Sequence, residues 1–175
     1  DYNNKAVIHF RCSDVPFVRQ LEYHLYPKEY YHFVADEINK LGAEEILFLN
    51  CTTHCSAENS EILCNNYIGT ISDWISEKTD IPINRNKICI DIPETYSIML
   101  GSKILVSSGG SFSFSPGLTK GKNFISHNLI GDHPELTENK YKDLSQKVHW
   151  TMWDKHNIIK HNEIPDYNIF DYKNY

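Results

Sequence analysis

The sequence predicts an α/β fold: a single Rossmann-like domain with a mainly parallel sheet flanked by helices. Three observations predict it. Short apolar runs alternate with longer stretches whose apolar residues recur at helical spacing. The short runs are apolar at successive positions, as in strands covered on both faces. Pro and Gly stand at the starts and ends of the helical stretches. Such alternation implies parallel strands in one sheet, joined by right-handed crossovers.

The first strand is "KAVIHFRC", residues 5–12, rich in β-branched and aromatic residues. In "PKEYYHFVADEINKLGA" Tyr30, Phe33, Val34, Ile38 and Leu41 share one helical face, with Pro27 near the start and Gly42 at the end. "EEILFLN" is a second buried strand, and "SAENSEILCNNYIGTISDWISEKTD" a long helix with a possible break at Gly69. "NKICIDI" is a third strand, and "PETYSIMLGS" a short helix opened by Pro93 and Glu94. "KILVSS" is a fourth strand, "SFSFSPGL" starts a helix or turn, and "KNFIS" is a fifth short strand. Residues 135–153 read as a helix with Leu136, Tyr141, Leu144, Val148 and Trp153 as its apolar stripe. The last stretch, "NEIPDYNIFDYKNY", is polar and aromatic without clear periodicity.

The 175 residues suffice for one domain with a substantial core. The net charge of −6 and a pI of about 5.8 argue against a nucleic-acid partner, which needs a basic face. No run approaches the ~18 apolar residues of a membrane span, and no signal peptide is visible. Five scattered cysteines, Cys12, Cys51, Cys55, Cys64 and Cys89, suit reduced thiols and a cytoplasmic protein better than a disulfide framework. The chain opens on Asp1, not Met, which fits a domain of a longer polypeptide. Asn50-Cys51-Thr52 has the form of a glycosylation site and reads as chance.

Ligands of open parallel sheets bind outside the carboxyl ends of the strands. That rule selects residues 11–14, 50–54, 91–94 and 107–113. The last of these contains "SSGGSFS". Small residues let a ligand approach the backbone, and Ser hydroxyls with N–H groups at a helix start donate to phosphate oxygens. The stretch is therefore either a phosphate or diphosphate cradle or a tight strand-to-helix connection with no ligand. A P-loop is not indicated, because Gly-Lys-Ser/Thr is absent from the junction. The dinucleotide Gly-x-Gly-x-x-Gly pattern is also absent.

"ETYSIMLGSKILVSSGGSFSFSPGL" resembles the last motif block of the α-1,2-fucosyltransferases and the related O-fucosyltransferase-like enzymes. "VIHFRCSD" resembles their opening His-x-Arg…Asp block. The order of elements agrees over roughly residues 6–126. The resemblance implies the nucleotide-sugar-binding, C-terminal half of a GT-B glycosyltransferase. It implies transfer of a sugar from a nucleoside diphosphate donor to a glycan hydroxyl, inverting, with no metal and no cofactor. On that basis residues 1–132 form the donor-binding domain, and residues 133–175 a helix and aromatic tail packed on it. Cys12-Ser13 stands where the family has a second Arg and a Gly, and Asn50-Cys51-Thr52 where it has acidic residues. The resemblance implies a 6-deoxyhexose, and these departures leave fucose and rhamnose both open as its identity.

Arg11 ends a strand at the binding rim, where a guanidinium suits a diphosphate. The alternative for it is a salt bridge with Asp14 or Asp91. His9 falls on the same side as Arg11 by strand alternation and is either a contact of sugar or phosphate or a core histidine. Asp14 is the candidate general base, or else a loop carboxylate. Ser108, Gly109, Gly110, Ser111, Phe112 and Ser113 are the candidate diphosphate contacts. Glu94 matches an acidic position near the nucleotide in the resembling family, and is equally a favourable helix-start charge. Trp150 and Trp153 are candidate acceptor contacts, since aromatic rings offer large contact area, or else they pack the last helix. "CTTHC" has zinc-type ligands, but its spacing matches no common site. Cys12 near His9 lacks an orienting acid for nucleophilic chemistry. Two other classes compete: a non-catalytic nucleotide- or carbohydrate-binding module, and a phosphate-ester hydrolase using the same cradle.

Overall fold

The computed structural model describes residues 1–11, 26, 28–51, 60–88, 91–107, 111–127 and 151–153. In chain order they form β1 (Lys5–Arg11), α1 (Lys28–Leu41), β2 (Glu45–Cys51), α2 (Ser60–Ser76), β3 (Ile83–Ile88), α3 (Ile92–Gly101), β4 (Ile104–Ser107), α4 (Ser111–Gly117), a 3₁₀ turn (Gly121–Asn123), β5 (Phe124–His127) and β6 (Thr151–Trp153). The strands make one sheet in the order β3-β2-β1-β4-β5-β6. Every pairing is parallel. This is the strand order of a doubly wound dinucleotide-type domain, with its reversal between β1 and β4.

Alternation along the strands divides the core into two layers. Ala6, Ile8 and Phe10 of β1, with Ile46 and Phe48 of β2 and Ile104 and Val106 of β4, pack against Tyr30, Val34, Ile38, Tyr67, Ile71 and Ile75 of α1 and α2. Val7, Leu47, Leu49 and Leu105 face the other way, onto Ile98 and Met99 of α3, with Phe112 and Phe114 of α4 alongside. The first two helices thus cover one face and the next two the other, which is why the strands are apolar at successive positions.

The helix ends follow local chemistry. Gly42 closes α1 with φ 69°, a left-handed conformation that costs a glycine little. Its N–H donates to Ile38 O at 3.0 Å, and Lys103 Nζ donates to Gly42 O at 2.6 Å. Asp91 caps α3 by accepting from Glu94 N at 2.6 Å. Lys120 donates to Leu100 O and Ser102 O at the other end of α3, and its partial burial lowers its pKa.

Four expectations are corrected. α2 continues through Gly69, where even an added Cβ would approach Arg85 Nη1 no closer than 3.8 Å, so nothing there requires a break. The third strand begins at Ile83, ahead of "NKICIDI". Thr151–Trp153, expected to end a helix, is a strand beside β5. Cys64 is buried and disulfide-bonded, against the expectation of reduced thiols, and its partner is not among the described side chains. Asn50 is only 2% exposed within β2, so the fold gives the Asn50-Cys51-Thr52 sequence no accessible acceptor for a glycan. No helix among the described residues is long and apolar enough to cross a membrane.

Candidate functional site

The strand reversal puts the carboxyl ends of β1 and β4 side by side. His9 stands opposite Ser107 of β4 and Leu49 of β2. β1 runs two residues further, so Arg11, opposite Cys51, reaches beyond the last residue of β4. Arg11 is half-buried. Its place follows from alternation: Val7 points into the α3/α4 layer, and so do His9 and Arg11.

His9 is buried and lies against Phe112 of α4, ring centroids 5.4 Å apart. Burial lowers its pKa to about 4, and the Arg11 charge adds to the shift. At neutral pH His9 is an uncharged imidazole. Phe112 meets Tyr96 of α3 edge-on at 5.1 Å, so His9, Phe112 and Tyr96 form one aromatic row from the sheet toward the surface.

Ser113 is fully buried, and its hydroxyl pairs with the Ser107 hydroxyl at 2.8 Å. From the opposite face, Tyr30 of α1 donates its hydroxyl to the Ser107 carbonyl at 3.1 Å. Tyr30 is also fully buried, and that burial raises its pKa well above the ordinary tyrosine value. Glu94 is half-buried in the first turn of α3, in the same helix layer as Phe112.

At the reversal point His9 therefore meets Phe112, Arg11 lies two residues further along the same face of β1, Ser113 bonds Ser107 beside His9, and Glu94 stands on the neighbouring helix. Ser111 begins α4. Asp14, Ser108, Gly109, Gly110 and Trp150 lie outside the described residues. Trp153 sits in β6, two strands from β4, or ~10 Å at the usual strand spacing. α4 has seven residues, so it aligns few peptide dipoles.

Sequence reasoning did not single out Tyr30 or Tyr96, and reached Ser107 and Asn50 only as members of the rim segments 107–113 and 50–54. Tyr30 reads there as a plain core position of a helical stripe. Nothing local signals that it crosses to β4. Asn50, one residue before the end of β2, has its Oδ1 buried and without a hydrogen bond, a position the rim rule selects only as part of a segment. Among the described residues no group of three or more His, Cys, Asp or Glu side chains could hold a metal ion. No protein-family model, curated protein or solved structure matches the chain.

Proposed function

We propose that the chain binds a nucleoside diphosphate sugar across the carboxyl ends of β1 and β4 and transfers the sugar, a 6-deoxyhexose such as fucose or rhamnose, to a glycan hydroxyl. The position of Arg11 carries this reading: an always-charged fork stands at the one point of the sheet where strand order reverses, which is where such sheets take nucleotides. The resemblance of "VIHFRCSD" and "KILVSSGGSFSFSPGL" to the α-1,2-fucosyltransferases supports the choice of reaction.

In this reading the acceptor hydroxyl oxygen attacks the anomeric carbon. The bond from that carbon to the diphosphate oxygen breaks, and its electron pair leaves with the diphosphate. The configuration inverts. Arg11 meets charge that grows as the diphosphate departs, so it stabilises the transition state more than the bound donor. The hydroxyl proton passes to a general base, for which Asp14 is the candidate. His9 takes no part as the base, because a buried group with a pKa of about 4 takes up a proton poorly at neutral pH.

The test is a thermal-shift series with GDP, UDP, dTDP and their sugars. At 100 times Kd a ligand that binds only the folded chain adds about 2.7 kcal/mol of stability. One of these ligands is expected to raise Tm, with the shift retained in EDTA. If none binds at millimolar concentration, the reading is lost. Product analysis separates the competing classes. A hydrolase releases inorganic phosphate from the nucleotide, a binding module leaves the donor intact, and a transferase consumes donor only when acceptor is present.

A further inference from the structure

We infer that Tyr96, flanked by Ile92 and Phe112, forms an apolar wall on which the base of the donor nucleotide stacks, beside the diphosphate met by Arg11. The inference rests on the donor site proposed above and names the part of the donor that the α3 side of that site takes.

Tyr96 is the fifth residue of α3 and Phe112 the second of α4, so both stand near the starts of their helices. A helix that follows a strand of a parallel sheet starts at the carboxyl rim of that sheet. The Phe112 ring lies against buried His9 at 5.4 Å and meets Tyr96 edge-on at 5.1 Å. Phe112 and Tyr96 are both half-buried. Tyr96 and Ile92 are four residues apart, hence neighbours on one face of α3. Ile92 is 67% exposed, more than any other large apolar side chain among the described residues. The four residues thus grade from the sheet interior to solvent: His9 buried, Phe112 and Tyr96 half-buried, Ile92 open to water.

Core packing accounts for the buried half of this row but not for its outer half. A single exposed apolar side chain is ordinary, whereas one that continues an aromatic row at the rim of a crevice is material for a ligand wall. What the wall takes is set by its neighbour. His9 and Arg11 point to the same face of the sheet, so the row begins two residues from a guanidinium. A cation beside a flat apolar wall fits a ligand with an anionic part joined to a flat apolar part, which is the chemistry of a nucleoside diphosphate. Within the donor, the sugar is bonded directly to the diphosphate, and the base is set off from it by the ribose. Tyr96 is set off from β1 in the same way, by the Phe112 ring, so the outer part of the row suits the base rather than the sugar. Every nucleobase has a π face, and stacking on an aromatic ring needs no particular hydrogen-bonding edge.

The experiment uses Tyr96→Ala, Tyr96→Phe and Ile92→Ser in the full chain, with far-ultraviolet circular dichroism to show that each is folded at the assay temperature. Calorimetry gives Kd for inorganic pyrophosphate, for the nucleoside diphosphate among GDP, UDP and dTDP that binds the parent chain, and for the matching nucleoside diphosphate sugar. Pyrophosphate has no base and the nucleoside diphosphate has no sugar to transfer, so the probes separate the parts of the donor. Tyr96→Ala should weaken both nucleotides about tenfold, the scale of one lost stack of base on ring, and leave pyrophosphate within about twofold of the parent. Tyr96→Phe keeps the ring and should keep the affinity. Ile92→Ser changes an exposed side chain and should weaken both nucleotides about threefold without lowering Tm. Unchanged nucleotide affinity in folded Tyr96→Ala overturns the inference and leaves the donor site standing. An equal loss for pyrophosphate makes Tyr96 a prop for the strand end that carries Arg11, which also overturns it. A loss confined to the nucleoside diphosphate sugar assigns the wall to the transferred sugar and overturns the assignment to the base. If Tyr96→Ala does not fold, Ile92→Ser decides, and unchanged nucleotide affinity there overturns the wall. A parent chain that binds none of the nucleotides overturns the donor site and the wall together.

Discussion

Arg11 and His9 are two residues apart on one strand, and their chemistry is coupled. Burial accounts for most of the lowered His9 pKa, and the guanidinium charge for the rest. Arg11→Lys therefore separates charge from shape. Lysine keeps the positive charge, so the His9 resonance should still titrate well below the ordinary value of 6.5. It loses the planar fork, so turnover should fall by ~100-fold, comparable to the loss of one oxyanion-type donor. A fully active Arg11→Lys chain would assign Arg11 to structure. The same pKa sets an acid limit on stability. The folded pKa of about 4 lies below the unfolded value of 6.5, so the unfolded chain binds the extra proton first. The contribution is complete above about pH 6.5 and is lost as pH falls toward 4, by about 3 kcal/mol if the whole shift holds. Urea melts between pH 7 and 4, with a His9→Gln chain as control, measure it.

At the scale of elements, α4 has little tolerance. A Cβ on Gly117 would lie 2.3 Å from Cε2 and 2.5 Å from Cδ2 and Cζ of Phe124, a fully buried ring at the start of β5. No rotation of Cβ relieves this, so either α4 or the ring must move. Gly117→Ala should cost about 1–3 kcal/mol, as overpacking of a core does, visible as a lower urea midpoint with an unchanged slope. The elements themselves differ in how legible they were. β1, β2, β4, β5 and the first three helices follow from runs of apolar residues with Pro and Gly at their borders, because both faces of the sheet are covered there; β3, "INRNKI" at the sheet edge, is mostly polar and began ahead of the expected run. Thr151–Trp153 did not follow: three residues are too short for a period of two to show, and Leu144, Val148 and Trp153 happen to fit a helical stripe. At the site, Arg11, His9 and Phe112 were legible because the rim rule needs only strand ends. Tyr30 and the Ser107–Ser113 pair were not, because they join residues 77 and 6 positions apart that only the folded sheet brings together.

For the whole molecule, two features bear on how the chain lives and what its tail does. A disulfide at Cys64 ties α2 to another cysteine and adds to the stability of the fold. With five cysteines, at least one thiol stays outside any intrachain pair. Reduction should lower stability by about 2–4 kcal/mol, and alkylation of freshly isolated chain before and after reduction should reveal Cys64 only afterwards. An unchanged melt in dithiothreitol with Cys64 labelled at once would make Cys64 a reduced thiol. The tail poses the other question. β6 pairs with Ile125, Ser126 and His127 of β5, so residues 151–153 complete the edge of the same sheet that carries the proposed donor site. Removing everything after Leu129 would strip that edge and leave the ladder groups of β5 unpaired, next to the buried Phe124 and Ile125. The truncated chain should melt at a lower temperature than the full chain. The reversal between β1 and β4 lies on the far side of β4 from that edge, and the described residues around it come from β1, β2, α1, α3, β4 and α4, none from β5 or β6. Donor affinity, measured by calorimetry below the new Tm, should therefore stay within about threefold of the full chain, because distant sites add nearly independently. If a folded truncation keeps donor affinity and loses only glycan binding, the tail carries the acceptor, and Trp150 and Trp153 are the rings to replace next. If it loses donor affinity while folded, the donor site extends across β5 and β6, and the assignment to the β1–β4 reversal fails.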